Sequence, residues 1–230
     1  RFKMSKVKDL ALMTGLEKIY GCGALNWDIF FEVPSLEILQ NIPSVDFEVK
    51  PGGEVAVSRE KFLKILSELE KNGKRVFSCR GGSSANTIFA LSQLGFHAGF
   101  IGVCGFDDFG ELVLEELSRA KVDLSLVERY GETSLALIIL DHSRDRFIIV
   151  SPGSAEASFQ KEPFLSRAKE RLLKKRALLH LSSLASLEGQ NFQKRLLLEL
   201  SPKERIDLFV SFDPGQVYAK KGRHFLLEFL

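Results

Sequence analysis

Two short stretches hold the side chains with chemistry in them. Arg80-Gly81-Gly82-Ser83-Ser84-Ala85-Asn86-Thr87 joins an apolar run, Arg75-Val76-Phe77-Ser78-Cys79, to a helical one, Ile88-Phe89-Ala90-Leu91-Ser92-Gln93-Leu94, which Gly95 can close. Paired glycines between strand and helix permit a tight turn and let a ligand approach bare backbone. Ser83 or Ser84 can cap the helix, whose first free N–H groups then point at whatever sits over the turn. Asn86 adds an amide that both donates and accepts. The second stretch is Asn26-Trp27-Asp28. An ionised carboxylate there can accept two hydroxyl hydrogen bonds and fix a polyol's orientation. Trp27 is either a core residue or a stacking surface for a sugar or base ring. A plain glycine turn, an ordinary helix cap and a turn aspartate would use the same spacings, so spacing alone leaves both readings open.

These residues need elements to hold them. Ile19 to Leu25 reads as a strand, with a bend near Asn26-Trp27-Asp28 and a second strand through Ile29-Phe30-Phe31. Residues 34–57 hold Pro34, Pro43, Pro51, Gly52 and Gly53 around one alternating stretch, Val45 to Val49, and read as irregular chain with a strand or two. Ser58 to Leu69 is a helix, with Phe62, Leu63, Ile65, Leu66 and Leu69 as its apolar stripe. From Arg75 the pattern alternates strand and helix. Ala98 to Cys104 is a buried strand, Asp107 or Asp108 caps the next helix, and Asp108 with Glu111 can form a capping box. Leu135 to Leu140 and Arg146 to Val150, joined by five polar residues, form a hairpin that interrupts this rhythm. It resumes with a helix over Phe164–Lys174, a strand over Ala177–Leu181, a helix over Glu188–Leu200, a strand over Ile206–Phe212 and a last helix from Gly222. Such alternation predicts an α/β fold, a mainly parallel sheet between helices, as one domain over residues 1–230.

The totals narrow the function classes. The 230 residues are 45% hydrophobic and 27% charged with a net charge of +2, and basic and acidic residues are interspersed, which argues against a nucleic-acid partner. No apolar run reaches membrane-spanning length. Three separated cysteines suit reduced core thiols in a cytoplasmic protein. Gly21-x-Gly23 lacks the third glycine of a dinucleotide fingerprint, and no G-x-S-x-G elbow is present. The histidines at 97, 142, 180 and 224 show no ligand spacing, and no metal site is expected.

Gly81-Gly82-Ser83-Ser84-Ala85-Asn86-Thr87, followed by Leu94-Gly95 and Gly102-Val103-Cys104-Gly105-Phe106-Asp107-Asp108-Phe109-Gly110, resembles the first signature of the ribokinase-like (PfkB) family of ATP-dependent sugar and nucleoside kinases. That resemblance implies a three-layer Rossmann-type core with a small β-strand lid, here about residues 29–57 and 132–151. It implies that Asn26, Asp28, Gly81, Gly82 and Asn86 bind the substrate. Ser182, at a position where ribose-handling members carry a carboxylate, and Asp213, in a strand-end Asp-Pro turn, are implied on the substrate side. The helix near 58–71 and the Gly-Gly-Ser-Ser-Ala-Asn-Thr spelling lean toward the nucleoside-kinase-like branch. ATP and Mg²⁺ are the implied cofactors of the complete protein, and a homodimer through the lid edges is the implied assembly. The family's D-T-x-G-A-G-D anion hole, whose last aspartate is the catalytic base, and its N-x-x-E element do not occur in these 230 residues. The expectation is therefore a kinase chain lacking its C-terminal part, with its base beyond Leu230, that cannot turn over. The rival expectation is a non-catalytic sugar- or nucleoside-binding or assembly protein of the same fold.

Overall fold

The computed structural model describes residues 15–200 and 207–229. An all-parallel sheet runs in the order β10 (Leu208–Asp213), β9 (Ala177–Ser182), β1 (Lys18–Cys22), β5 (Ala98–Cys104) and β6 (Asp123–Arg129). β5 is Ala-Gly-Phe-Ile-Gly-Val-Cys, with no polar side chain and every residue buried, as a strand covered on both faces must be. Successive residues serve opposite layers. Ile19 and Phe100 pack with Ile88 of α2 (Ser83–Gln93) and with Val113 and Leu117 of α3 (Asp108–Arg119). Tyr20 and Ile101 pack with Phe164 and Ala168 of α4 (Glu162–Leu173) and with Phe192 and Leu196 of α5 (Leu187–Glu199). The core is thus a three-layer α/β arrangement. Two short helices, α6 (Gly215–Ala219) and α7 (Gly222–Leu227), follow β10.

A second sheet runs β3 (Glu54–Ala56), β8 (Arg146–Ser151), β7 (Ser134–Asp141), β2 (Asn26–Val33) and β4 (Lys74–Gly81). β2 pairs with β7 in parallel and with β4 antiparallel, and β7 and β8 form the expected hairpin. The side chains of Trp27, Ile29, Phe31, Leu135, Leu137 and Ile139 pack with Phe62, Ile65 and Leu69 of α1 (Arg59–Asn72). Ser58 caps this helix by accepting from the Lys61 N–H. Asn26, Asp28, Phe30 and Glu32 alternate onto the other face.

The strand expected within the alternating core at Arg75–Cys79 lies instead in this second sheet, antiparallel to β2. Period-2 patterning shows that a segment is extended, not which strand it pairs with. The bend falls at Gly23–Leu25 rather than at Asn26–Asp28, because β2 already begins at Asn26. Val45–Val49 is not a strand, and the short β3 supplies that edge. β6, an edge strand, was not anticipated. Asp107 caps α3, accepting from Gly110 N–H at 2.8 Å, and also takes the backbone N–H of Thr133. Ile206 lies outside the described residues, and β10 starts at Leu208. No helix among the described residues is long and apolar enough to cross a membrane.

Candidate functional site

β1 and β9 deliver the chain to the C-terminal edge of the parallel sheet, where open α/β sheets take their ligands. Three glycines make the crossing possible. A Cβ on Gly23 would lie 2.3 Å from Ser182 Oγ, and one on Gly82 would lie 2.0 Å from the Ala24 carbonyl oxygen. Gly82 also has φ +98, a conformation that costs glycine nothing. A Cβ on Gly81 would sit 1.9 Å from Asp28 Oδ1, so the space it leaves is filled by the Asp28 carboxylate.

The cap of α2 differs from expectation. Gly82 holds the cap position and makes no side-chain bond there, and neither Ser83 nor Ser84 caps the helix. Ser182, buried at the end of β9, supplies the oxygen instead, accepting the Ser84 N–H at 3.1 Å. The Ser84 hydroxyl donates to the His180 carbonyl at 3.2 Å. Ser182 is therefore committed to joining strand and helix.

Asn26 is buried and its Oδ1 has no hydrogen-bond partner; Asp28 Oδ1 is likewise buried and unpartnered. Across the sheet Asn26 faces Gly81 on one side and Ser134 on the other, and Asp28 lies between Cys79 and Ala136. Burial pushes the Asp28 carboxyl up to about 7; nearby Arg80 works against that rise and Glu54 adds to it. Buried acceptors without donors are costly and uncommon, and their usual explanation is a missing partner. A hydroxylated ligand brings the required O–H donors.

Asn26, Asp28, Gly81 and Gly82 are thus brought together, whereas three other expected site residues are engaged elsewhere. Asn86 is exposed, and its Oδ1 accepts from Arg80, which stacks 3.6 Å from the Phe89 ring centroid. Arg80 stands opposite Trp27 in the register, on the face of the second sheet away from Asp28. Trp27 is a core residue, buried 6.5 Å from the Phe109 ring, because neighbouring strand residues point to opposite faces. Asp213 accepts the Gly215 N–H at 3.0 Å and shapes the turn after β10.

Sequence reasoning missed three supports. Gln193 Nε2 donates to the carbonyls of Cys22 and Ser182, while its Oε1 accepts from Tyr218, tying α5 and α6 to the sheet edge. Glu156 is buried and accepts from the Ser134 hydroxyl at 2.9 Å, and burial raises its pKa. Glu54 lies on the edge strand of the second sheet, and its charge reaches Asp28. Only tertiary proximity identifies these three. Among the described residues no group of three or more His, Cys, Asp or Glu side chains is placed to hold a metal ion.

The sequence matches the model of the pfkB family of carbohydrate kinases over residues 56–216. An uncharacterized sugar kinase of Archaeoglobus fulgidus is 33% identical over 136 residues, which is 57% of this chain and 50% of that protein. An ATP-dependent ribose-1-phosphate kinase of Halopiger xanaduensis is 27% identical over 86% of this chain and 54% of its own length. The chain spans about half the length of the curated relatives it matches. In structure it is similar to the adenosine kinase of Anopheles gambiae, with a TM-score of 0.73 and 15% identity over 92% of this chain and 61% of that one.

Proposed function

This chain belongs to the pfkB family of carbohydrate kinases, and from that premise we propose that the surface around Asp28, Asn26 and the Gly81-Gly82 turn holds the alcohol acceptor, a sugar or nucleoside, of an ATP-dependent phosphotransferase. One observation carries the reading: two buried acceptor oxygens, on Asn26 and Asp28, lack donors beside a glycine turn that brings the backbone close. The ionised Asp28 takes the O–H groups of the acceptor, Asn26 takes another, and the second sheet closes over them as a lid to exclude water. Holding the acceptor in one orientation is the contribution such residues make to phosphoryl transfer, which depends on positioning more than on covalent chemistry by the protein.

ATP and Mg²⁺ belong to the complete protein in this reading. The described residues offer neither a carboxylate cluster for the cation nor a glycine-rich phosphate loop. In this reading Asn26 and Asp28 contribute binding and orientation of the acceptor. A homodimer would form through β4, a lid edge strand with exposed Val76 and Phe77.

Titration calorimetry with a panel of sugars and nucleosides tests the assignment. At least one should bind the parent chain, and Asp28→Asn should weaken it by about tenfold or more, the value of a charge-assisted hydrogen bond. Equal affinities in parent and variant would remove Asp28 from the site. Phosphorylation of the bound compound by a chain carrying the family's anion hole separates a kinase from a binding protein of the same fold.

A further inference from the structure

A cavity of about 790 Å³ opens at the end of the parallel sheet opposite Asp28, where β1, β5 and β6 begin. Its size lies within the range of small-molecule sites, roughly 300–1,000 Å³. Six lysine and arginine side chains line it against two carboxylates, with Phe96 and Tyr20 as apolar wall. Four of the six cations are already neutralised. Lys18 pairs with Asp123, Lys175 with Glu17 at 2.7 Å, Lys174 with Glu170 at 2.5 Å, and Arg119 with Glu115 at 2.5 Å. Lys121 and Arg171 have no carboxylate within ion-pair distance among the described residues.

The backbone at Lys121 makes its presence harder to explain as chance. α2 and α3 both end at this cavity with the same motif. After α2, Phe96 N–H bonds back to the Leu91 carbonyl and Gly95 takes φ +96. After α3, Val122 N–H bonds back to the Leu117 carbonyl, but the left-handed position, φ +63, is filled by Lys121. Glycine is the residue that adopts this conformation without strain. Lys121 there sets on the cavity an ammonium with no ion-pair partner among the described residues, at a cost in backbone strain.

We propose that this cavity binds a phosphorylated small molecule, with its anionic groups toward Lys121 and Arg171 and its organic part against Phe96. The site is separate from the acceptor site proposed at Asp28, from which it lies at the far end of the strands. Pyrophosphate and AMP serve as probes in titration calorimetry of the 230-residue chain. Saturable binding of either is expected, weakening as salt is added. A Lys121→Glu/Arg171→Glu double variant, which alters two exposed residues, should bind at least about tenfold more weakly, and Asp28→Asn should bind as the parent does. Lys121→Gly should raise the melting temperature of the empty protein while weakening binding. Absence of saturation with both probes would overturn the proposal. So would undiminished affinity in the double variant or in Lys121→Gly, or a loss of binding confined to Asp28→Asn, which would place the probe at the acceptor site proposed around Asp28.

Discussion

A methyl group at Gly81 would fall 1.9 Å from Asp28 Oδ1, so the carboxylate occupies the volume that any other residue type would claim. Gly81→Ala should therefore destabilise the chain by about 1–3 kcal/mol, measured by urea unfolding. Gly81→Ala combined with Asp28→Ala should recover most of that loss. Additive costs in the double variant would contradict the contact. The raised Asp28 pKa, about 7 against 3.8 for an ordinary aspartate, fixes the sign of a pH effect. Between those values the native state binds more protons at this group than the unfolded chain, so its contribution to the stability of the empty protein falls as pH rises from about 4 to about 7. Asp28→Asn should be more stable than the parent at about pH 8, by on the order of 2 kcal/mol, and the difference should vanish near about pH 4. Denaturant titrations at the two pH values check this. The glycine turn between strand and helix was legible from residue type and spacing, whereas Asp28 was singled out only by the family resemblance, its spacing fitting a turn aspartate equally well. The attachment of Asn86 to Arg80 and the burial of Trp27 were not legible, since each depends on which face of β2 and β4 meets the core.

α1 was readable from its stripe, and Phe62, Ile65 and Leu69 are buried as that stripe requires, although Leu63 faces solvent. Its role was not readable. The helix covers one face of the second sheet, including Ile29, Phe31, Leu137 and Ile139, and so stabilises the sheet that carries Asp28 on its other face. Phe62→Ala should cost about 3–5 kcal/mol. Hydrogen exchange should speed in β2 and β7 before it does in β5, because the second sheet loses its cover while the parallel sheet keeps both helical layers. Uniform acceleration across both sheets would show that α1 supports the whole molecule instead. The membership of β4 in the second sheet and the existence of β6 escaped the sequence for one reason: pairing partners are set by tertiary contacts, and Asp123 and Ser125 give β6 the polar look of a loop.

At the scale of the whole molecule, two sheets meet at Gly23, Gly81 and Gly82, and further contacts hold the second one in place. Lys220 Nζ donates to the Glu54 carbonyl at 3.2 Å and Gln216 to the Gly52 carbonyl at 3.4 Å, joining α6 and the residue that follows it to the edge at β3. Alternating strand and helix patterns made the three-layer core legible, and the interruption at 134–151 did the same for the hairpin; the five-strand sheet carrying Asp28 emerged only from the pairing. The proposed function rests on that sheet, which leaves a poorly solvated carboxylate waiting for donors. Carbon-13 NMR of the Asp28 carboxyl, titrated with pH in the absence and presence of a binding sugar or nucleoside, tests it most directly. The account predicts a midpoint near 7 in the empty protein that moves down when the ligand is bound, as hydroxyl donors favour the ionised form. A midpoint in the ordinary carboxylate range, unmoved by a ligand that binds, would contradict it.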